Sequence, residues 1–456
     1  MREEVRYAVY LFIIFAAFRS VLEYFAGSFP IGYDSVNANE MWIRTHAGLL
    51  PLDALFKSIL YSLNYVVRNP SLTVKIVNIF LEGALASSLY LWIFSITKNN
   101  KVAFFAALAT CFYFPILRIA WDLSLNMLAL IFGLLCLTLL ESTGRTKFLL
   151  ANVLLILSIF SDVITLPIIL FVVILRKDRL VRKVVPVAIS GVLFLAALFY
   201  STGSHGFLPF VSYELQQGGY LYLGWSAPLF VLYLAAPILP FVAAMLIVKR
   251  PWKVDRQLAL WIVGSLALLP VYLGYRFAFM AFIGIVPMIV VRIFSVDPNR
   301  LLKVFLVVVL FLGFSYAVFS AQSPFPYYTI DARYTTLMPP AFMYNTLPTY
   351  ENSQVMGLLY NNIGLFNCSS TLATITGFYD FTLAAHVPSC SIYVIGDTGN
   401  VSADFEQFVY YGQSHGSAPL YVLWFVPPKS SEPSFWNTYS LVESIGSIGL
   451  FVYSPS

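Results

Sequence analysis

Long apolar runs recur through the first 319 residues and constrain the fold more than any other feature of this sequence. An apolar helix of about 20 residues crosses the hydrocarbon core of a bilayer, and fewer suffice where the membrane thins. Of the 456 residues, 59% are hydrophobic and 11% are charged, whereas soluble domains carry about 25% charged residues. The chain is therefore predicted to be an α-helical polytopic membrane protein.

The apolar runs predict about eleven transmembrane spans. These are residues 7–26, 73–95, 102–117, 120–140, 147–160, 163–175, 184–200, 223–248, 257–273, 277–294 and 301–319. The short pair at 147–175 has a second interpretation, a broken re-entrant hairpin around Ser161-Asp162. The first run lacks a small-residue cleavage site, so we expect it to stay as a helix rather than to be removed as a signal peptide.

Lysine and arginine are distributed unequally between the loops. With a cytoplasmic N-terminus, the basic residues concentrate in the inner segments, such as 176–183 and 249–256. This bias agrees with the positive-inside rule and supports the register of the spans. Because the number of spans is odd, residues from about 320 onward are predicted to be extracytoplasmic. A net charge of +5 that is sorted by membrane side does not indicate nucleic-acid binding.

Three regions follow from this map. Residues 1–319 form the transmembrane domain with a long first outer loop at 27–72, residues 320–350 form a Pro-, Tyr- and Thr-rich connector, and residues 351–456 form a small α/β domain outside the membrane. In that last domain, periodicity predicts helices at 353–366 and 403–411, strands at 391–395 and 420–426, and a hairpin formed by 440–443 and 449–453. The outer loop is predicted to hold interfacial amphipathic helices at 38–49 and 51–66.

The four cysteines divide between these regions. Cys111 and Cys136 fall inside predicted spans, where a thiol acts as a small apolar side chain. Cys368 and Cys390 fall in the outer domain, where a disulfide is chemically permitted. Their spacing is compatible both with a bridge and with two free thiols.

The first outer loop opens with Gly32-Tyr33-Asp34-Ser35. An acidic residue in the first loop that leaves the membrane predicts a general base. Asp34 is that residue, and it is also a candidate metal ligand. The alternative is a turn-forming aspartate after Gly-Tyr, or the N-cap of the next helix.

A second polar group, formed by Arg118, Trp121, Asp122 and Asn126, lies at the start of the fourth span. Because residues 118, 122 and 126 are spaced by four, they are predicted to share one helix face that points into the bundle. In the functional interpretation, Asp122 binds a metal or a sugar and Arg118 binds phosphate. In the alternative, Arg118 and Asp122 form a structural pair and Asn126 bonds to a neighbouring helix.

Tyr275-Arg276 stands between two apolar spans. The planar guanidinium of Arg276 suits a lipid phosphate, because it donates two parallel hydrogen bonds. The alternative is a side chain that snorkels to ordinary headgroups. Asp162, an acid at a short outer turn, is predicted to be a helix N-cap. His46 and His205 lack the spacing of zinc ligands.

Several classes of enzyme are excluded by what the sequence lacks. There is no Gly-Lys-Ser/Thr phosphate loop and no Gly-x-Ser-x-Gly elbow, and the predicted inner segments are all short. The energy for a reaction is therefore expected to come from the substrate. Reactive groups at the outer ends of the spans predict a substrate that is itself a membrane lipid.

Together these features resemble the GT-C superfamily of polytopic glycosyltransferases, in particular archaeal and bacterial relatives of the protein mannosyltransferases, the aminoarabinose transferase and the oligosaccharyltransferase catalytic subunits. Four stretches carry the resemblance: residues 30–34, residues 118–126, Tyr275-Arg276 followed by a span with Pro287, and the C-terminal α/β domain. A paired Asp-x-Asp motif is missing, because position 36 is Val36.

The resemblance implies transfer of a sugar from a polyprenyl-phosphate donor to an unidentified acceptor at the outer face. Asp34 would remove the acceptor proton, while Arg276, with Arg118 or a divalent cation, Mg²⁺ or Mn²⁺, would stabilise the leaving phosphate. Glu40 and Asp122 would hold the acceptor or the metal. Tyr33, Asn126 and Tyr275 complete the expected substrate-binding set.

Two other functions remain open. A transporter or flippase of a lipid-linked intermediate predicts polar residues near mid-membrane and broken helices. A non-catalytic membrane scaffold predicts that the polar residues do not meet. An enzyme predicts that Asp34, Asp122 and Arg276 converge.

Overall fold

The structure, a computed structural model, describes part of the chain. The described residues are 3–25, 30–31, 35, 39, 42–43, 54–141, 144–162, 165–175, 189, 191, 231–232, 234–247, 252–269, 274–296, 299–318, 351–375, 378, 381–383, 385–395, 401–415, 419–427, 432–446 and 448–454. They are mostly helical, with a small sheet near the C-terminus. The side chains of Asp122 and Tyr275 lie outside the described set, and so do Tyr33, Asp34 and Glu40 altogether.

The first part of the described chain consists of helices. They are α1 (Glu3–Phe25), α2 (Ala54–Val67), α3 (Pro70–Thr97), α4 (Asn100–Phe112), α5 (Phe114–Asp122), α6 (Ser124–Leu140), α7 (Arg145–Ser161), α8 (Leu166–Ile174), α9 (Leu239–Ile247), α10 (Trp252–Ala267), α11 (Gly274–Val296) and α12 (Leu301–Val318). A short 3₁₀ turn, Ala236–Ile238, precedes α9. Helix α2 coincides closely with the amphipathic helix predicted at 51–66.

Among the described residues, three helices are long and apolar enough to cross a membrane: α1, α3 and α11. The apolar segments Glu3–Phe25, Pro70–Thr97 and Arg276–Val296 have 23, 28 and 21 residues. The bent pair α4 and α5 adds a fourth span if it crosses as one unit. The chain is therefore a membrane protein, while the total of eleven spans and the sidedness of the termini stay predictions.

The span predicted at 102–117 is not a single helix. Helices α4 and α5 meet at an angle of 65°, and Tyr113 between them has an extended backbone with ψ 128°. Pro115 explains the break, because proline lacks the N–H that a continuing helix needs and is accepted in the first turn of the next one. The residues of the predicted span therefore form two helices rather than one.

A second break separates α5 from α6. Leu123 leaves the helical region with φ −100° and ψ 53°, so Asn126 lies on a different helix from Arg118 and Asp122. The prediction that residues 118, 122 and 126 share one helix face was therefore wrong. No proline or glycine marks this break in the sequence.

Glycine allows close approach of helices in this part, and Gly83 is one example. A Cβ atom at Gly83 of α3 would lie 2.8 Å from the carbonyl oxygen of Phe12 in α1. Small residues at such crossings let transmembrane helices pack backbone to backbone. The side chains that α1 and α3 carry on either side of this crossing are therefore brought close together.

The C-terminal region combines helices with one five-stranded sheet. Its elements are α13 (Glu351–Asn361), β1 (Thr371–Ile375), β2 (Ile392–Ile395), α14 (Val401–His415), β3 (Leu420–Phe425), α15 (Pro433–Thr438), β4 (Tyr439–Ile445) and β5 (Ile448–Tyr453). The strand order is β2-β1-β3-β5-β4. The first three strands are parallel, while β5 pairs antiparallel with both β3 and β4. Strand β1 is absent from the sequence-based prediction, because threonine and alanine interrupt its apolar pattern.

Aromatic side chains fill the core of this region. Phe435 is fully buried and packs edge-on against Phe405 and Phe451. A disulfide joins Cys368 to Cys390, whose Cα atoms are 5.2 Å apart. Since Cys368 precedes β1 and Cys390 precedes β2, the bond connects the starts of two adjacent parallel strands.

The chain divides into two compact units. The first contains residues 1–20, 49–59 and 77–348, and the second contains residues 21–48, 60–76 and 349–456. The second unit thus includes the C-terminal sheet together with much of the first long loop and the helix ends that flank it.

Candidate functional site

Three polar side chains meet within the helical part: Asn126, Asp162 and Arg276. The Arg276 guanidinium donates from Nη1 to Asn126 Oδ1 at 3.0 Å. The side-chain amide of Asn126 donates from Nδ2 to Asp162 Oδ2. Asn126 is fully buried, and the other two are half-buried. One amide therefore connects a cation to an anion at a boundary between the protein interior and its surface.

The helices bring these residues together through their ends. Asn126 is the third residue of α6, Asp162 directly follows the end of α7, and Arg276 is the third residue of α11. Since α6 and α7 are joined by a short connection and pack against each other, the start of one lies beside the end of the other. The bond to Arg276 places the start of α11 at the same end of the bundle.

Positive and negative groups meet in this arrangement. Asn126 lies in the first turn of α6 and Arg276 in the first turn of α11, and a helix N-terminus carries about half a positive charge. The Asp162 carboxylate adds a negative charge to the same cluster. A cation in the first turn opposes the helix dipole at a cost of about 0.3–1 kcal/mol. Leu123, the N-cap residue of α6, contributes no side-chain hydrogen bond. Helix N-termini and arginine side chains are both groups that bind phosphate.

Asp162, predicted to be a helix N-cap, directly follows α7. It is the C-cap of α7, with its backbone N–H bonded to Ser158, and Thr165 is the residue that precedes the next helix. Its carboxylate accepts from the side-chain amide of Asn126, 36 positions earlier in the chain. Residues 163 and 164 lie outside the described residues, so the predicted N-cap stays a prediction.

The other predicted residues are placed as follows. Arg118 lies on α5 and is buried, with 4% of its surface exposed. Asp122 is the last residue of α5, and Tyr275 is the second residue of α11. The convergence of Asp34 and Asp122 with Arg276 stays a prediction.

The sequence analysis missed a buried pair formed by Lys75 and Glu23. Glu23 also bonds to the chain just before Asp34. Lys75 of α3 donates from Nζ to the backbone oxygen of Glu23 at 2.8 Å and lies 4.0 Å from Glu23 Oε2. The same carboxylate oxygen accepts from the backbone N–H of Ile31 at 3.0 Å. Ile31 is buried and stands three positions before Asp34 in the sequence. Glu23 therefore holds the backbone at the entrance to the predicted catalytic loop.

A second buried pair joins Arg19 of α1 to Glu82 of α3. Arg19 Nη1 lies 3.8 Å from Glu82 Oε2 and donates to the carbonyl oxygen of Ala120 at 3.3 Å. The Arg19 guanidinium also lies 5.0 Å from the centre of the Trp121 ring. Arg19 is fully buried, so its charge is compensated by these contacts rather than by water.

A pattern in the sequence could have revealed both pairs. Lys75, Asn78 and Glu82 recur at intervals of three and four within an apolar helix, which places them on one face. Arg19 and Glu23 are likewise four apart near the end of the first helix. Charged residues inside a transmembrane helix nearly always face other protein groups.

The described residues contain no group of three or more histidine, cysteine, aspartate or glutamate side chains that could hold a metal ion. The two predicted ligands, Asp34 and Asp122, have side chains outside that set. A divalent cation at this site therefore stays a prediction.

Comparisons with known proteins give a likeness in structure but none in sequence. No protein-family model and no curated protein sequence matches the chain. Among solved structures, it is similar to the cryo-EM structure of arabinofuranosyltransferase AftD from Mycobacteria, with 11% sequence identity and a TM-score of 0.45. The alignment covers 98% of this chain and 40% of that one, so the chain spans less than half of that protein's length.

Proposed function

We propose that this membrane protein is a glycosyltransferase that moves a sugar from a polyprenyl-phosphate donor to an acceptor at the outer membrane face. The observation that carries the proposal is the cluster of Arg276, Asn126 and Asp162 at the meeting point of two helix N-termini. A half-buried arginine at such a point suits a phosphate group. A lipid phosphate reaches this depth because its chain stays in the bilayer.

In this reaction the donor phosphate is the leaving group. Negative charge grows on its oxygen as the bond to the sugar breaks, and Arg276 would stabilise that charge together with the helix ends. Asn126 orients the guanidinium through its Oδ1 atom, and Asp162 fixes the amide of Asn126. Arg118, Tyr275 and Tyr33 complete the proposed donor site.

The acceptor hydroxyl needs a base as it attacks the sugar. We assign this role to Asp34, which would take the proton in a single inverting step. Glu40 and Asp122 would hold the acceptor or, with Asp34, a Mg²⁺ or Mn²⁺ ion that neutralises the phosphate. The reaction then takes place outside the cytoplasm, with the N-terminus inside and the C-terminal domain outside.

The test is release and transfer of sugar from labelled polyprenyl-phosphate sugars by the purified full-length protein in lipid nanodiscs. Arg276→Gln is expected to lower kcat/KM by about 10²–10³, the usual loss when one transition-state donor is removed. The kcat/KM of Arg276→Lys should lie between those of the wild type and Arg276→Gln, because lysine keeps the charge but not the planar guanidinium. Asp34→Asn should abolish turnover.

Arg292→Gln provides a matched control. Arg292 lies near the opposite end of the same helix, α11, so its loss should leave turnover unchanged. If Arg276→Gln and Arg292→Gln behaved alike, the phosphate site would be elsewhere. If Asp34→Asn retained full turnover, Asp34 would not be the base and Asp122 would become the next residue to test.

A second candidate is a transporter of a lipid-linked intermediate. The 65° bend between α4 and α5 favours it, because broken helices form many transport sites. In proteoliposomes, a transporter would move the intact labelled lipid between leaflets without releasing sugar. An enzyme would release sugar even in detergent, where no second leaflet exists. A scaffold would do neither.

A further inference from the structure

The break between α5 and α6 is contacted by side chains from two other helices. Arg19 of α1 donates to the carbonyl oxygen of Ala120 on the last turn of α5. Ser124, the first residue of α6, donates from Oγ to Asn78 Oδ1 of α3 at 3.0 Å. Glu82 of α3 compensates the charge of Arg19. We call these four side chains, Arg19, Asn78, Glu82 and Ser124, the brace.

The brace acts on backbone groups that a helix cannot satisfy by itself. The last four carbonyl groups of an α-helix have no partner within it, and a cation near them is favourable. The Ala120 carbonyl is one of these groups in α5, and Arg19 lies beside it. Trp121, over which the guanidinium is placed, is fully buried and also packs edge-on against Tyr316. The end of α5 is thus fixed in both position and rotation.

The brace is linked to the candidate site through the first turn of α6. Asn126 is two residues after Ser124, in the first turn of α6, and the first helical bond of that turn runs from Met127 to Leu123 at 2.8 Å. A change in the backbone of Leu123 would therefore move Asn126 relative to Asp162 and Arg276. The bonds that join these three side chains allow little displacement before they break.

We propose that the brace positions Asn126, and through it Arg276, for the donor phosphate. This inference rests on the proposed function. The four brace residues are positioning residues, because none of them bonds to the Asn126 side chain itself. An ion pair that only joined α1 to α3 would need neither the bond to Ala120 nor the one between Ser124 and Asn78.

Ser124 allows a matched pair of variants. Ser124→Thr keeps the hydroxyl that donates to Asn78, whereas Ser124→Val has the shape of threonine without the hydroxyl. With the full-length protein in nanodiscs and a labelled polyprenyl-phosphate sugar, Ser124→Thr should retain wild-type kcat. Ser124→Val should lower kcat by about 10–100-fold, the effect of a small misplacement, with the donor KM unchanged. Equal kcat values in the two variants would overturn the proposal.

Arg19 and Glu82 allow a second test that separates positioning from stability. Arg19→Met alone would leave the Glu82 charge buried without its partner and should reduce the yield of folded protein. The double variant Arg19→Met/Glu82→Met removes both charges, and such replacements often keep stability. Its kcat per folded molecule should nevertheless stay about 10–100-fold below wild type, because the bond to Ala120 is lost. Full recovery of kcat in the double variant would show that the pair is only structural.

Hydrogen–deuterium exchange gives a readout that does not depend on activity. Peptides covering residues 120–127 should exchange faster in Ser124→Val than in Ser124→Thr, while peptides covering 134–140 should be unchanged. The control Gln257→Met, which removes a 2.6 Å bond to Glu141 beyond the other end of α6, should alter neither kcat nor exchange at 120–127. Equal exchange in the two Ser124 variants would refute the brace itself. A wild-type protein without turnover on any donor would refute the proposed function, and the positioning role with it.

Discussion

The helical part and the C-terminal sheet bury different kinds of side chain. Within the described residues, the helical part buries six charged side chains, namely Arg19, Glu23, Lys57, Lys75, Glu82 and Arg118, while the C-terminal region buries one, Asp404. The core of the sheet is instead aromatic and aliphatic, centred on residues such as Phe408, Phe435 and Phe451. Among the described residues, the helical part therefore buries more charged side chains than the C-terminal region does.

The predicted surroundings of the two parts, lipid for the helices and water for the C-terminal region, account for this difference. A domain in water places its charges outside, because hydration stabilises them there. A helix in lipid finds no hydration outside, so its charges turn inward and pair with each other. A buried charge in the helical part is thus not in itself a sign of catalysis. What distinguishes Arg276 is that it stands at a helix N-terminus and is half-exposed, whereas Arg19 is fully enclosed by Glu82 and Trp121.

The largest expected effect comes from removing one member of a buried pair. Lys75→Met leaves Glu23 buried without its cation, and we expect a loss of about 3–5 kcal/mol in stability. The double variant Glu23→Leu/Lys75→Leu should recover most of this loss. Denaturation of the full-length protein in one fixed detergent measures both changes.

Glu443 of the sheet domain provides the comparison for that prediction. Its carboxylate accepts from the side chains of Asn361 and Asn362 at 2.8 and 2.6 Å near the surface. Glu443→Gln should cost about 1 kcal/mol or less, because water replaces what is lost. Equal losses of stability for Glu443→Gln and Lys75→Met would show that burying a charge has the same energetic weight in the two parts.

A somewhat smaller effect is expected from the disulfide of the sheet domain. Cys368→Ser/Cys390→Ser opens a loop with a sequence separation of 22, which corresponds to about 3 kcal/mol in chain entropy. Limited proteolysis should show faster cleavage within residues 351–456. Cys136→Ala, which removes a free buried thiol of α6, should not change that cleavage. Unchanged cleavage in the double serine variant would mean that the aromatic core alone holds the domain.

The sequence allowed prediction of the site residues better than of their arrangement. Asn126 and Arg276 are recognisable as candidates because a polar residue at the end of a transmembrane apolar run is energetically costly and usually functional. The helix break at Leu123 is not recognisable, since neither glycine nor proline marks it. The side chains that bond to Ala120 and Ser124 on its two sides, Arg19 and Asn78, lie 104 and 45 positions earlier in the chain than Leu123.

The same limit applies to the sheet domain. The hairpin of β4 and β5 and the strand β3 follow from local apolar patterns, and both are present in the structure. Strand β1 has a weaker pattern and becomes a strand through pairing with β2 and β3 on its two sides. Local patterns thus predicted β2, β3, β4 and β5 and missed β1, which lies between β2 and β3.

The smallest expected effect concerns the pH dependence of the sheet domain. Burial raises the pKa of Tyr439 above its ordinary value of 10.0, and Tyr453 and Tyr411 add to the increase. The Tyr439 hydroxyl donates to the carbonyl oxygen of Phe408 at 2.6 Å, a bond that the phenolate would lose. Since the folded pKa exceeds the unfolded one, the unfolded chain loses its proton first as the pH rises. The stability of the domain should therefore be complete below pH 10 and should fall progressively above it.

Tyr439→Phe separates this effect from general alkaline damage. The variant loses one hydrogen bond, so it should be about 1 kcal/mol less stable near neutral pH, yet its stability should fall less steeply above pH 10 than that of the wild type. Tyr410→Phe is the matched control, because Tyr410 is 74% exposed and should leave the slope unchanged. Equal slopes in wild type and Tyr439→Phe would show that the hydroxyl is deprotonated as easily in the folded domain as in the unfolded chain. In that case the apolar core of the sheet would be open to water, and the contrast with the helical part would be weaker than the burial of the two parts indicates.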